Sequence, residues 1–359
     1  MLSKRSLLRH ALTVAGVGAI ASGTAGAAPN ARSTAEIGGE YGYDATAVAD
    51  AGTTVTASVD RSILDITGVP EGVRAPFNDL RQQYSSVSLE DIGRVSASAT
   101  LDGETITGGC AVATGSFDRR AIRTEAREYG LREVDSSGSE HRMETDANQR
   151  RVTGTGSSTT TTPTTDAPAA TVDRLVADDV PYAIGVDDST LYVGYGRGET
   201  DARTHVDAAL ETTGSGQSRS SETNAAASAD YGSLPSLLSG HAVACASLDS
   251  ATREALCDRL TDAPDSFRSA IEAARATGIA LQAGSTQSRL RYGIVADPNR
   301  LSVDTVMDIV AEATSGSGSL ENDGVYRDGW TFVLDATVET EELWAAHEQF
   351  LGSKSVDER

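Results

Sequence analysis

Four histidines follow the first 27 residues, His141, His205, His241 and His347, and they are the side chains best suited to proton transfer or metal binding near neutral pH. No His-Glu-x-x-His motif or comparable ligand spacing joins them. His205 and His347 fall in helical stretches near apolar faces, and His241 precedes an apolar strand, so each is expected to be structural or on the surface. Asp178-Asp179 and Asp187-Asp188 are paired carboxylates at loops beside strands, without the surrounding ligands of an EF-hand loop. At most they offer weak cation binding. The chain has no Gly-x-Ser-x-Gly elbow, and its Gly-Ser runs are low in complexity. Cys110, Cys245 and Cys257 are odd in number and form no Cys-x-x-Cys, which favours small buried hydrophobes over a disulfide or a zinc site. Trp330 and Trp344 are expected as core or hairpin anchors. The sequence therefore predicts no catalytic, cofactor-binding or metal-ligating residue, and no cofactor.

The elements around these residues are organised by one stretch, Ala111–Asp118 (Ala-Val-Ala-Thr-Gly-Ser-Phe-Asp), matched by Ala242–Asp249 (Ala-Val-Ala-Cys-Ala-Ser-Leu-Asp). Each reads as a strand running into a helix. Asp118 is placed to cap free first-turn amides. Phe117 and Ile122 have the spacing of a hydrophobic staple, and Ile122, Ala126 and Tyr129 form one apolar face. Gly130 stands at the stop, with Leu131 able to pack back. A phosphate site on the Thr-Gly-Ser turn is disfavoured, because no glycine-rich fingerprint or P-loop lysine accompanies it. The two octapeptides suggest an internal duplication.

In chain order, the sequence predicts a strand at Val55–Val59 and a helix at Ala75–Tyr84. A hairpin follows around Asp102-Gly103, the helix Asp118–Tyr129, and a short hairpin from Leu131–Asp135 to Glu140–Thr145. Residues 153–170 are Ser/Thr/Pro-rich and make no apolar face, so they read as an exposed loop open to O-glycosylation. A hairpin around Asp187-Asp188-Ser189 and a helix over Thr200–Thr213 close the first half. The second half carries helices at Ser250–Leu260, Pro264–Thr277 and Ser302–Thr314. Strands at Ile279–Ala283, Arg289–Val295 and Thr331–Val338 and a last helix at Thr340–Leu351 complete it. The expected fold class is α+β: two related halves of antiparallel sheet with helices on one face, ferredoxin-like being one such form. The divisions are a signal peptide (1–27), a flexible leader (28–52), a first α+β domain (53–213), a linker (214–230), a second α+β domain (231–352) and a tail (353–359).

Residues 1–27 have the parts of an export signal: Lys4, Arg5 and Arg9 at the head, an apolar Ala11–Ala21, and Ala25-Gly26-Ala27 as cleavage site. Ser3-Lys4-Arg5-Ser6-Leu7-Leu8-Arg9 is similar to the twin-arginine consensus with lysine in the first arginine's place, and a Sec signal is the alternative. The apolar run is too short to span a bilayer comfortably, so no stable transmembrane helix is expected in the mature chain. Asp and Glu number 52 against 30 Lys and Arg, and only Lys4 and Lys354 are lysine. Removing the three positive charges of the signal takes the formal charge from −22 to −25. Such a surface suits molar salt, where self-repulsion is screened, and it disfavours nucleic acid as a partner. The signal, the acidity and the Gly115-Ser116-Phe117-Asp118 turn together resemble a family of exported haloarchaeal proteins with a twin-arginine-like signal peptide, which carries no activity to transfer. The expected function is thus an exported acidic protein, a non-catalytic binding or structural module, extracellular or surface-associated, with a partner there. The alternative is a secreted hydrolase whose carboxylates the sequence does not single out.

Overall fold

The computed structural model describes residues 43–49, 52–68, 85–103, 105–134, 172–177, 180–197, 199–214, 231–259, 265–296, 299–314 and 320–343. The signal peptide, the predicted helix Ala75–Tyr84, the Ser/Thr/Pro-rich loop, most of the 214–230 linker and the last helix beyond Leu343 lie outside them.

Alternating small and β-branched residues build twelve strands in one sheet. In chain order these are β1 (Thr53–Asp60), β2 (Ile92–Asp102), β3 (Thr105–Gly115), β4 (Arg132–Val134), β5 (Asp173–Val176), β6 (Tyr182–Val186), β7 (Thr190–Tyr195), β8 (Ala242–Ser247), β9 (Ala274–Ala283), β10 (Gln287–Ala296), β11 (Leu320–Asp328) and β12 (Thr331–Glu339). The order across the sheet is β11-β12-β10-β9-β8-β1-β2-β3-β7-β6-β5-β4, and all neighbours are antiparallel. The helices are α1 (Ser62–Thr67), α2 (Arg119–Glu128), α3 (Glu199–Gly214), α4 (Leu234–Leu237), α5 (Ser250–Arg259), α6 (Asp265–Ala273) and α7 (Val303–Thr314).

The coarse expectation, mostly antiparallel sheet with helices, describes the molecule. Four finer points differ. The halves are not separate sheets, because β1 and β8 pair along Thr54↔Ser247 to Val59↔Ala242 and make the sheet continuous. A ferredoxin-like arrangement sets two parallel strands side by side, which no pair among the described residues does. Helices also cover both faces. Ile63 of α1 packs with Val59, Leu281 and Leu290, Ile122 of α2 with Ala113, and Val306 of α7 with Phe332 and Leu334, all on one face by strand register. Ala202 and Val206 of α3 pack with Cys110 and Tyr192, and Leu234 of α4 with Cys245, on the other. Finally, residues 43–49 of the expected leader are docked on that second face, with Ala45 fully buried.

A repeated order of elements is present in the topology, in a different alignment from the one the octapeptides suggest. One series runs β1, α1, β2-β3, α2, β6-β7 and lies in the order β1-β2-β3-β7-β6. The other runs β8, α5-α6, β9-β10, α7, β11-β12 and lies as β8-β9-β10-β12-β11. Thus β8 corresponds to β1, and β3 to β10. Ala57-Ser58-Val59-Asp60 then matches Ala246-Ser247-Leu248-Asp249, and the antiparallel β1·β8 seam carries an approximate two-fold axis. The helix starts agree: Ala121 N–H donates to Asp118 Oδ1 (2.9 Å) above the buried pair Phe117/Ile122, and Thr305 N–H donates to Ser302 Oγ (3.1 Å) above Leu301/Val306. Strands β4 and β5 have no counterpart among the described residues of the second series and extend one edge.

Local signals account for many boundaries. Gly103 has φ 56° in the β2–β3 turn, as an Asp-Gly turn requires. Gly130, at φ 87°, closes α2, with its N–H on Arg127 O and that of Leu131 on Ala126 O. Arg132–Val134 pairs with Asp173–Val176 across the loop, and its expected hairpin partner Glu140–Thr145 lies outside the described residues. One reading fails for a tertiary reason. Helix α6 stops at Ala273 and runs straight into β9, so Gly278 is a strand residue against Leu238, where a Cβ would sit 2.5 Å from Leu238 Cδ1.

Candidate functional site

Three buried titratable groups of the described chain, Tyr43, Cys110 and His205, lie together on the second sheet face beneath residues 43–49. Helix α3 lies there because Ala202, Val206 and Ala209 present a small apolar stripe, and Gly194 lets the helix approach: a Cβ would sit 2.4 Å from Ala202 O. The same face of α3 carries His205 into the core at 1% exposure. The Tyr43 hydroxyl bonds His205 Nδ1, and the two rings meet edge to face at 6.1 Å. On the other side the ring abuts the β3 backbone, where a Cβ on Gly108 would lie 2.3 Å from Nε2.

A row of hydroxyls continues the site. Ala45 N–H donates to Ser98 Oγ (3.1 Å), and Thr56 Oγ1 donates to the same oxygen (3.4 Å). Thr56 Oγ1 also bonds Tyr231 OH (3.0 Å) from the second half. Thr100 and Thr107 pair at 2.9 Å, and Thr100 donates to Gly108 O (3.2 Å).

Burial sets the electrostatics. It pushes the His205 pKa down to about 4, against the opposing pull of Asp201. Burial first, with Cys110 and Asp44 adding to it, pushes Tyr43 far up, and burial likewise raises the Cys110 thiol. At neutral pH the site therefore holds an uncharged imidazole, a phenol and a thiol. A nucleophile oriented on a base would need a thiolate or a serine in line with the imidazole; here the phenol takes Nδ1.

Ionic groups also meet away from this site. Asp335, 6% exposed, accepts from Arg289 Nε (2.6 Å) and Arg289 Nη2, and from Arg291 Nε (3.3 Å). Arg291 Nη1 also reaches Leu237 O (3.3 Å) and so ties α4 to the sheet. Asp173 is held below the usual carboxylate range, chiefly by hydrogen bonds from Arg119 Nε (2.5 Å) and Nη2 (2.6 Å). The chain continues through Arg123 (3.3 Å) to Glu133 and Arg127.

The residues singled out in the sequence are dispersed. His241 Nδ1 accepts from Ala283 N–H at 3.5 Å. Asp187 closes its turn by accepting from Ser189 and Thr190 N–H groups, both at 2.7 Å. Trp330 stands at the β11–β12 turn, 47% exposed, with Arg275 5.9 Å above its ring, so it is a hairpin residue and not a core one. Cys110, Cys245 and Cys257 are all buried and free. The amides of the Thr-Gly-Ser turn are taken by carbonyls: Gly115 N–H on Ser189 O, Ser116 on Asp91 O and Phe117 on Asp188 O. That arrangement leaves no cradle for a phosphate. His141, His347, Trp344 and Asp178-Asp179 lie outside the described residues. Among the described residues no group of three or more His, Cys, Asp or Glu could hold a metal ion, and no helix is long and apolar enough to cross a membrane. The Tyr43–His205 contact was missed because its partners are 162 residues apart. The only local signal was a histidine in register with an apolar stripe.

No family model matches the chain, and no curated protein matches it. Solved structures with a similar chain trace include crystal forms I and III of TP0453. Form I is 8% identical with a TM-score of 0.40, over 86% of this chain and 97% of that chain. Form III is 8% identical with a TM-score of 0.40, over 83% and 95%.

Proposed function

We propose that the chain is an exported acidic protein, a non-catalytic binding or structural module of the extracellular space or cell surface, adapted to high salt and related to haloarchaeal exported proteins. One observation carries the non-catalytic reading: the buried titratable groups are spent on holding elements together. His205 is engaged by Tyr43, Asp335 by two arginines, and the thiols are kept protonated by burial. The charge of −22 and the near absence of lysine support the salt reading, and the head of the chain supports export. An acidic surface points to a partner other than nucleic acid.

The test is expression with the natural N-terminus in a salt-loving host, followed by N-terminal sequencing of the secreted protein. A chain beginning at Ala28 is expected; one beginning at Met1 overturns the signal. Arg5→Gln abolishes export if the route is twin-arginine, whereas continued export identifies the Sec route.

A further inference from the structure

Residues 43–49 reach the second sheet face through two hydrogen bonds and are held in shape by a third within the segment. Tyr43 bonds His205 on α3, Ala45 N–H bonds Ser98 on β2, and Asp44 caps the helical turn Ala45–Ala47 by accepting from Thr46 N–H (2.9 Å). Beneath them, in the same apolar cluster, lies Cys110 with no exposed surface. We propose that this segment is an acid-operated clasp: protonation of His205 undocks it and opens the sheet face over Cys110.

The geometry supplies the trigger. The imidazole is fixed between the Tyr43 hydroxyl and the Gly108 backbone, a place that holds a neutral ring and leaves little solvent for a charged one. The groups acting on it are Tyr43 from the segment, whose hydroxyl it bonds, and Asp201 one turn earlier on α3, while β3 meets the ring with the Gly108 backbone; Cys110 and Asp44 act in turn on the Tyr43 hydroxyl. Of these, Tyr43 and Cys110 stay uncharged, and Asp201 favours the protonated ring. Burial outweighs Asp201, and the ring titrates at about 4 instead of 6.5. A depressed histidine favours the docked state above its ordinary value, and that preference is lost progressively as pH falls from there to the depressed value. The undocked state binds one more proton, so its population rises by up to about tenfold per pH unit across that window.

The test uses the mature chain in molar salt with Cys245 and Cys257 replaced by alanine. Cys110 is labelled with dithiodipyridine, which reacts with thiols at acid pH, between about pH 7 and about pH 4. Rates are divided by those of a small free thiol at each pH, and circular dichroism follows global folding. The expected result is labelling that climbs below about pH 6.5 while the sheet stays intact, and a flat profile in His205→Gln. An equal climb in His205→Gln, or labelling that waits for global unfolding, overturns the clasp. Should His205→Gln not fold, Tyr43→Phe decides: it removes only the hydroxyl, and it must label faster than the parent at neutral pH. Equal rates there overturn the proposal.

Discussion

Asp118, Asp249 and Ser302 show how single side chains fix this fold. Each follows a strand, stands at a helix start and accepts a first-turn N–H: Ala121 for Asp118, Thr252 (2.7 Å) for Asp249 and Thr305 for Ser302. Asp118→Ala is expected to cost about 0.5–2 kcal/mol, and Asp118→Asn or Asp118→Ser much less, since both still accept the bond. Thermal unfolding in high salt measures it, and an alanine variant as stable as the parent would mean the cap contributes nothing. Asp249 adds a pH signature. Burial works to raise its pKa, yet hydrogen bonds from Thr252 and Thr53 and the nearby Arg253 hold it below the usual aspartate range. A depressed carboxylate contributes stability that is present above the unfolded-state value and lost as pH falls through the folded one. The melting temperature of Asp249→Asn should therefore approach that of the parent in acid and fall below it near neutrality.

Elements approach one another here through missing side chains. Helix α3 sits on Gly194, where a Cβ would lie 2.4 Å from Ala202 O and 2.7 Å from Val206 Cγ2. Backbone on one side cannot move aside as a flexible side chain would. Gly194→Ala should cost about 1–3 kcal/mol by overpacking. By contrast, Gly103→Asn in the β2–β3 turn should be tolerated, because asparagine accepts positive φ and nothing lies within 4 Å of the new Cβ. Denaturant unfolding of the two variants side by side checks the pair; similar losses at both sites would mean that close approach is not what Gly194 provides.

At the scale of the molecule, the β1·β8 seam joins two similar series of elements into one sheet, and cores cross it. Ile63 and Val59 pack with Leu281 and Leu290, and Val55 and Leu101 with Ala246 and Leu248. The halves are therefore expected to melt in a single calorimetric transition, and two resolved peaks would show that the seam does not couple them. The charge sets the conditions for that measurement. Screening lengths fall from about 30 Å at 0.01 M salt to about 3 Å at 1 M. With a formal charge of −22, the melting temperature should rise steeply between dilute buffer and molar KCl. A flat dependence would remove the salt argument.

What the sequence determined by itself was local. The Asp118 cap with its Phe117/Ile122 staple, the Gly130 stop, the Asp102-Gly103 turn and the Ser302 helix start are readable because each device spans only a few adjacent residues. Tertiary structure decided which strands became neighbours. The two octapeptides are alike because β3 and β8 both run into capped helices, yet β8 takes the place of β1, a choice made by pairing across 193 residues at Thr54 and Ser247. Strand β11 was missed because at the sheet edge Glu321, Asp323 and Arg327 face solvent and leave no apolar alternation to read. The Tyr43–His205 contact was invisible for the same reason as the seam: nothing near either residue encodes a partner that only the assembled sheet brings within reach.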